Sequence, residues 1–185
     1  MPTPVVWVGP AENPALCPGP LAAVRDNEVI ARLLHENTLE PASSRFMRKE
    51  IFSVGLTSID NQCGTKDGAS VDRCDNLSDD EVMRRSQAQA ERRPGRKAEG
   101  AYFATAGGVR QLRLPGQPDA QIFRVYDDAR LVEDEFGPIN REHAVVRGDD
   151  ALSRPQQSGA LALIISLFIP ERPSQNSQLN LPLAR

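Results

Sequence analysis

The sequence predicts an α+β fold: N-terminal helices followed by a mainly antiparallel or mixed small sheet, with an irregular N-terminal arm and a disordered C-terminal tail. Three observations carry this expectation. Apolar residues before Arg93 recur at helical spacing, those after Gly100 come in short alternating runs, and both ends of the chain are rich in proline or polar residues. Helical and strand patterns segregated along the chain mark α+β domains rather than alternating α/β ones. At 185 residues the chain suits a single domain with its own core. The expected division is an arm over 1–24, one domain over 25–170 and a flexible tail over 171–185.

The arm is proline-rich, with "VVWV" as an edge-strand candidate. Asp26 or Asn27 then supplies a helix cap, and Val29, Ile30, Leu33 and Leu34 of "EVIARLLH" fall on one helical face until Pro41 ends the run. "SSRFMRKEIF" suggests a second short helix, capped by Ser43 or Ser44. Residues 53–77 are dominated by Gly, Ser, Asp and Asn and read as a long loop, or as short strands joined by turns. The clearest helix is "LSDDEVMRRSQAQAERR". Ser78 and Glu81 form a capping-box pattern, Asp79 and Asp80 sit at the positive end of the dipole, and Pro94–Gly95 stops it. Beyond Gly100, "AYFATA", "VRQLRL", "QIFRVYD" and "HAVVRG" have strand character. The apolar run "ALALIISLFI", 160–169, is expected to be a central strand buried on both faces.

Charge is unevenly distributed. The overall charge is −3, yet the stretch from Arg84 to Lys97 carries +5 and the stretch from Asp119 to Asp150 carries −5. Arg84, Arg85, Arg92, Arg93, Arg96 and Lys97 therefore form a candidate binding surface, for a protein partner, a second copy of the chain or a phosphate-bearing ligand. A solvated helix face would show the same pattern. No aromatic residue interleaves the basic run, which argues against single-strand base stacking.

His143 and His35 are the only histidines. Each is a candidate acid–base group, with Arg73 in the loop "GASVDRCD" as a phosphate-binding partner. The simpler readings are a polar residue at a strand edge for His143 and a cation at a helix end for His35. No nucleophile elbow, P-loop or dinucleotide-binding glycine pattern is present, and "TAGGVRQ" offers only a small backbone nest. The three cysteines lack zinc-site spacing, so no metal is assigned, and no cofactor is expected. The order of a histidine, "AYFATAGGV" and a later acidic strand resembles ADP-ribosyltransferase-like folds over a few positions. That resemblance implies a histidine and an aromatic holding a nicotinamide dinucleotide and a glutamate completing catalysis; it is too short to assign the chain to the family.

The start of the chain lacks a secretory signal pattern, and the ten-residue apolar run at 160–169 is too short to span a bilayer. A soluble, cytoplasmic protein without membrane contact is expected, acting as an interaction or accessory domain through its opposed charged surfaces. The alternative is a small enzyme acting on a nucleotide or another phosphate-bearing substrate, so the sequence leaves open whether the chain is an enzyme.

Overall fold

The computed structural model describes residues 23–37, 46, 51–52, 68–92, 95–128, 141–149 and 151–173, with only the backbone described for 35–37. The elements are β1 (Val29–Asn37), β2 (Ala69–Arg73), α1 (Asp79–Glu91), β3 (Arg96–Thr105), α2 (Ala106–Gln111), β4 (Phe123–Asp127), β5 (His143–Gly148) and α3 (Arg154–Leu167). The five strands form one sheet in the order β3-β1-β2-β5-β4, and every neighbouring pair is antiparallel.

The expectation of N-terminal helices is overturned: the described elements open with a strand. β1 lies second from the edge of the sheet and is covered on both sides, so Val29, Ile30, Ala31 and Leu33 are all buried. A strand buried on both faces loses its polar alternation, and its apolar run then mimics helical spacing. Asp26 and Asn27 form the turn that feeds β1 rather than a helix cap. The second proposed helix falls almost wholly outside the described residues. Within 53–77, Ala69–Arg73 is the strand β2.

The opposite error occurs at the C-terminal end. The run 160–169, expected as a strand, belongs mostly to α3. Its start was signalled by Ser153, whose backbone N–H donates to Gln156 Oε1 at 2.9 Å, and by a proline in the first turn. Ala160, Ile164 and Phe168 are buried at four-residue intervals, as one stripe of a helix requires. Phe168 meets Phe46 edge to face, with ring centroids 4.8 Å apart. The stretch "VRQLRL" is also not a strand, since Val109–Gln111 ends α2.

α1 is as expected. Ser78 accepts from the Glu81 N–H at 3.2 Å, and Asp79, Asp80 and Glu81 occupy the first turn. Its inner face brings Val82 onto Val29, Ala31, Leu33, Ala101 and Phe103 of β1 and β3. The Ser86 hydroxyl donates to the Gly100 carbonyl at 3.0 Å. Gly100 adopts φ 113°, next to the shift in β1–β3 register, where a side chain would be strained.

The sheet thus has two unlike faces. On one, Ile30, Val71, Ala104, Val125, Ala144 and Val146 join α2 and α3 in the main apolar core. On the other, α1 covers β1 and β3, and the remaining strands carry a different set of side chains. Among the described residues no helix is long and apolar enough to cross a membrane.

Candidate functional site

Over β2, β5 and β4 the face shared with α1 is polar. Strand alternation places Ser70 and Asp72, then His143, Val145 and Arg147, then Arg124 and Tyr126 on this side. Asp72, Tyr126, His143 and Arg147 are nonetheless buried. Apolar side chains would fill such positions at no desolvation cost, so this composition requires a reason beyond stability.

One row crosses the sheet. Asp72 and His143 are direct cross-strand partners, and the Asp128 N–H donates to the His143 carbonyl at 3.2 Å, setting Asp128 on the other side of the histidine. His143 Nδ1 lies 2.7 Å from the Asp128 backbone oxygen and 3.2 Å from its carboxylate Oδ2. Both neighbours are acceptors, so Nδ1 must carry the proton and donate. In the neutral ring, Nε2 is left with its lone pair. Nε2 is buried and has no hydrogen-bond partner among the described residues. Native structures pair nearly all buried polar atoms, so this nitrogen is open to a further hydrogen-bond donor.

α1 closes one side of this row. The Arg85 guanidinium lies 3.7 Å from Asp72 Oδ2 and 3.1 Å from Glu142 Oε2, with its side chain 5% exposed. It neutralises the carboxylates beside His143. Cys74 also lies close, its thiol 3.4 Å from the Asp72 carbonyl. Burial, helped by the Asp72 charge, pushes that thiol up to about 12, so it stays protonated and is not an activated nucleophile. Ser70 stands one row away, opposite Val145 rather than His143. The arrangement therefore suits proton transfer by an oriented imidazole, with no nucleophile placed against it among the described residues.

Arg73 is on the opposite face. Its Nε and Nη2 donate to Glu28 Oε2 and Oε1 at 2.6 and 2.7 Å, and its Nη1 donates to Asp127 Oδ1 at 3.1 Å. Arg25 adds a bond from Nε to Glu28 Oε1 at 3.0 Å. Burial alone would raise the Glu28 carboxyl, but the Arg73 hydrogen bonds, with Arg25, bring it below its ordinary value. Burial likewise opposes the charge on Arg73, and Glu28 and Asp127 raise it overall. This is an internal ion network, and Arg73 does not converge with His143. His35 lies on β1, opposite Ala98, and its side chain is outside the described residues.

The basic stretch is divided by the fold. Arg84, Arg92 and Lys97 are exposed, Arg96 is half-buried, Arg85 is buried, and Arg93 is outside the described residues. Of the acidic stretch, Asp127, Asp128 and Asp149 are buried. Arg85 and Glu142 join the two stretches within the chain. The glycine nest of "TAGGVRQ" is likewise consumed: the N–H groups of Ala106, Gly107 and Gly108 donate to Glu28 O, Asp26 O and Thr105 Oγ.

The loop "GASVDRCD" offers Ser70, Asp72, Arg73 and Cys74 as partners for a histidine, and of these the fold sets Asp72 directly across from His143; Asp128 and Arg85 were not foreseen as its neighbours. The available signal was polar alternation in "SVDR", "FRVYDD" and "HAVVRG", which in buried strands puts polar groups on one shared face. Among the described residues no group of three or more His, Cys, Asp or Glu side chains is arranged to hold a metal ion. No protein-family model matches this chain, and no curated protein or solved structure matches it at a significant level.

Proposed function

We propose that the chain is a small enzyme acting on a phosphate-bearing molecule, with His143 as its general base and acid. The observation that carries this reading is the buried Nε2 without a partner among the described residues, on a ring whose Nδ1–H is held by Asp128. Asp128 acts as a positioning residue through its main-chain carbonyl, which accepts from Nδ1 at 2.7 Å and leaves Nε2 as the nitrogen that exchanges a proton. Arg124 and Arg147 supply the attraction for an anion. They are cross-strand partners on the same face as His143. From His143 to Val145 to Arg147 is two steps of two positions each, placing the cationic end roughly 13 Å along β5 from the histidine backbone.

Turnover of p-nitrophenyl phosphate, bis-p-nitrophenyl phosphate and ATP by the purified chain tests this reading, with His143→Asn and Asp128→Asn alongside. The expected result is activity on one of these compounds, reduced about 10²–10⁴-fold in His143→Asn. Equal activity in His143→Asn, or no turnover of any of them, would remove the proposal.

A second reading, an interaction domain acting through charged surfaces, is favoured by the exposed set Arg84, Arg92 and Lys97. β3 is an edge strand, and Phe103–Ile169 is the one bridge along its outer side among the described residues. Charge reversal at Arg84, Arg92 and Lys97 is then expected to abolish self-association or partner capture without lowering Tm. Unchanged association would dismiss this reading.

A further inference from the structure

We infer that the cavity between the start of β1, the end of β3 and the end of α3 binds a small, mainly apolar, uncharged molecule carrying one hydrogen-bonding group. The cavity measures about 400 Å³, within the range of small-molecule sites. It is separate from the histidine site. Phe103, in its wall, shares a row with Ala31, Asp72 and His143, three strands away from the histidine; at the usual strand spacing that is roughly 14 Å.

The lining sets the ligand class. Phe103, Ala104, Leu167, Ile169 and Pro173 provide an apolar wall. Ile169 is 45% exposed, one of two large apolar side chains among the described residues left in that state. Asn27 and Gln111 add amide groups at the polar end. Asp26, the one charged residue in the lining, is engaged by Arg110 Nη1 at 2.6 Å, so the cavity makes no demand for a cation.

The walls are held by contacts of the chain itself. Gly107 donates to Asp26 O at 2.8 Å, and a Cβ on Gly107 would lie 2.9 Å from that oxygen, so only glycine lets α2 approach the 26–27 turn this closely. On the far side, Phe103 and Ile169 exchange both backbone hydrogen bonds, at 2.7 and 3.0 Å, which fixes the segment carrying Ile169 and leading to Pro173. A preformed apolar cavity of this kind binds without a large ordering cost.

The test uses N-phenyl-1-naphthylamine, an uncharged fluorescent probe with a single N–H, titrated into the full chain. The expected result is saturable one-site binding with Kd on the order of 100 µM, weakened at least tenfold by Ile169→Asp. Met83→Asp, at the other exposed apolar residue, is expected to leave binding unchanged. Gln111→Trp, which fills the mouth from an exposed α2 position, provides a second variant should Ile169→Asp lower Tm. The inference is overturned by non-saturable binding, by equal loss in Met83→Asp, or by unaltered affinity in the folded cavity variants.

Discussion

Replacing Arg73 with methionine tests the internal ion network most severely. Arg73 makes three charged hydrogen bonds, two to Glu28 and one to Asp127, and all three side chains are no more than 5% exposed. Methionine keeps much of the packing volume but removes the buried cation shared by Glu28 and Asp127, leaving Glu28 with the more exposed Arg25. Breaking a buried pair from one side costs about 3–5 kcal/mol. For a chain of this size each kcal/mol lowers Tm by roughly 2–4 °C, so a fall of about 6–20 °C is expected at pH 7. The pH dependence sharpens the test. In the native chain the Glu28 pKa lies below its ordinary 4.5, so its contribution to stability is complete above that value and is lost as pH falls through the depressed one. Without Arg73 less opposes the effect of burial, so the Glu28 carboxyl takes up a proton at higher pH than in the native chain, acidification neutralises it sooner and the penalty shrinks. Adding Glu28→Gln to Arg73→Met is expected to recover part of the loss. A Tm change under about 2 °C, or a penalty that grows as pH falls, would refute the network. Circular dichroism melts across pH 4–7 read both quantities.

Three further outcomes follow from the packing. In a Cys17→Ser, Cys63→Ser background, Cys74 is expected to resist Ellman's reagent at pH 8 until the chain unfolds. Because its folded pKa is raised to about 12 from 9.0, stability is complete below 9.0 and declines as pH rises from there towards 12. Gly148→Ala is expected to cost about 1–3 kcal/mol by overpacking, since its Cβ would collide with the Phe52 ring and lie 2.9 Å from Ile51 Cγ2; Phe52→Leu is expected to relieve part of it in urea titrations. Arg85→Met is expected to destabilise the chain by leaving Asp72 and Glu142 without their shared cation; a denaturation midpoint equal to that of the native chain would contradict that role.

The sequence was most legible where a local signal was complete. Ser78, the acidic first turn and Pro94–Gly95 delimit α1 without tertiary information, and the alternation in "QIFRVYD" and "HAVVRG" marks β4 and β5. It was least legible where tertiary packing overrides the local pattern. Val29, Ile30, Leu33 and Leu34 fit a helical face, yet the sheet buries both sides of β1. Ala160–Leu167 reads as a buried apolar strand, yet only one stripe of it is buried, and the decisive Ser153–Pro155–Gln156 start lay outside the apolar run. The site follows the same logic. His143 stood out by rarity alone, whereas Asp72 and Asp128 lie 71 and 15 residues away from it in the chain and become neighbours only through the pairing of β2, β5 and β4.

The central claim is that the Nδ1–H of His143 is held by Asp128 while Nε2 presents a lone pair. Long-range ¹H–¹⁵N correlation spectra of the ¹⁵N-labelled chain, with His35→Gln removing the other imidazole, read this directly at a pH where the ring is neutral. The account predicts a protonated Nδ1 and a bare Nε2, kept in Asp128→Asn because the main-chain carbonyl at 128 still accepts from Nδ1. A neutral ring carrying its proton on Nε2 in the native chain would contradict it.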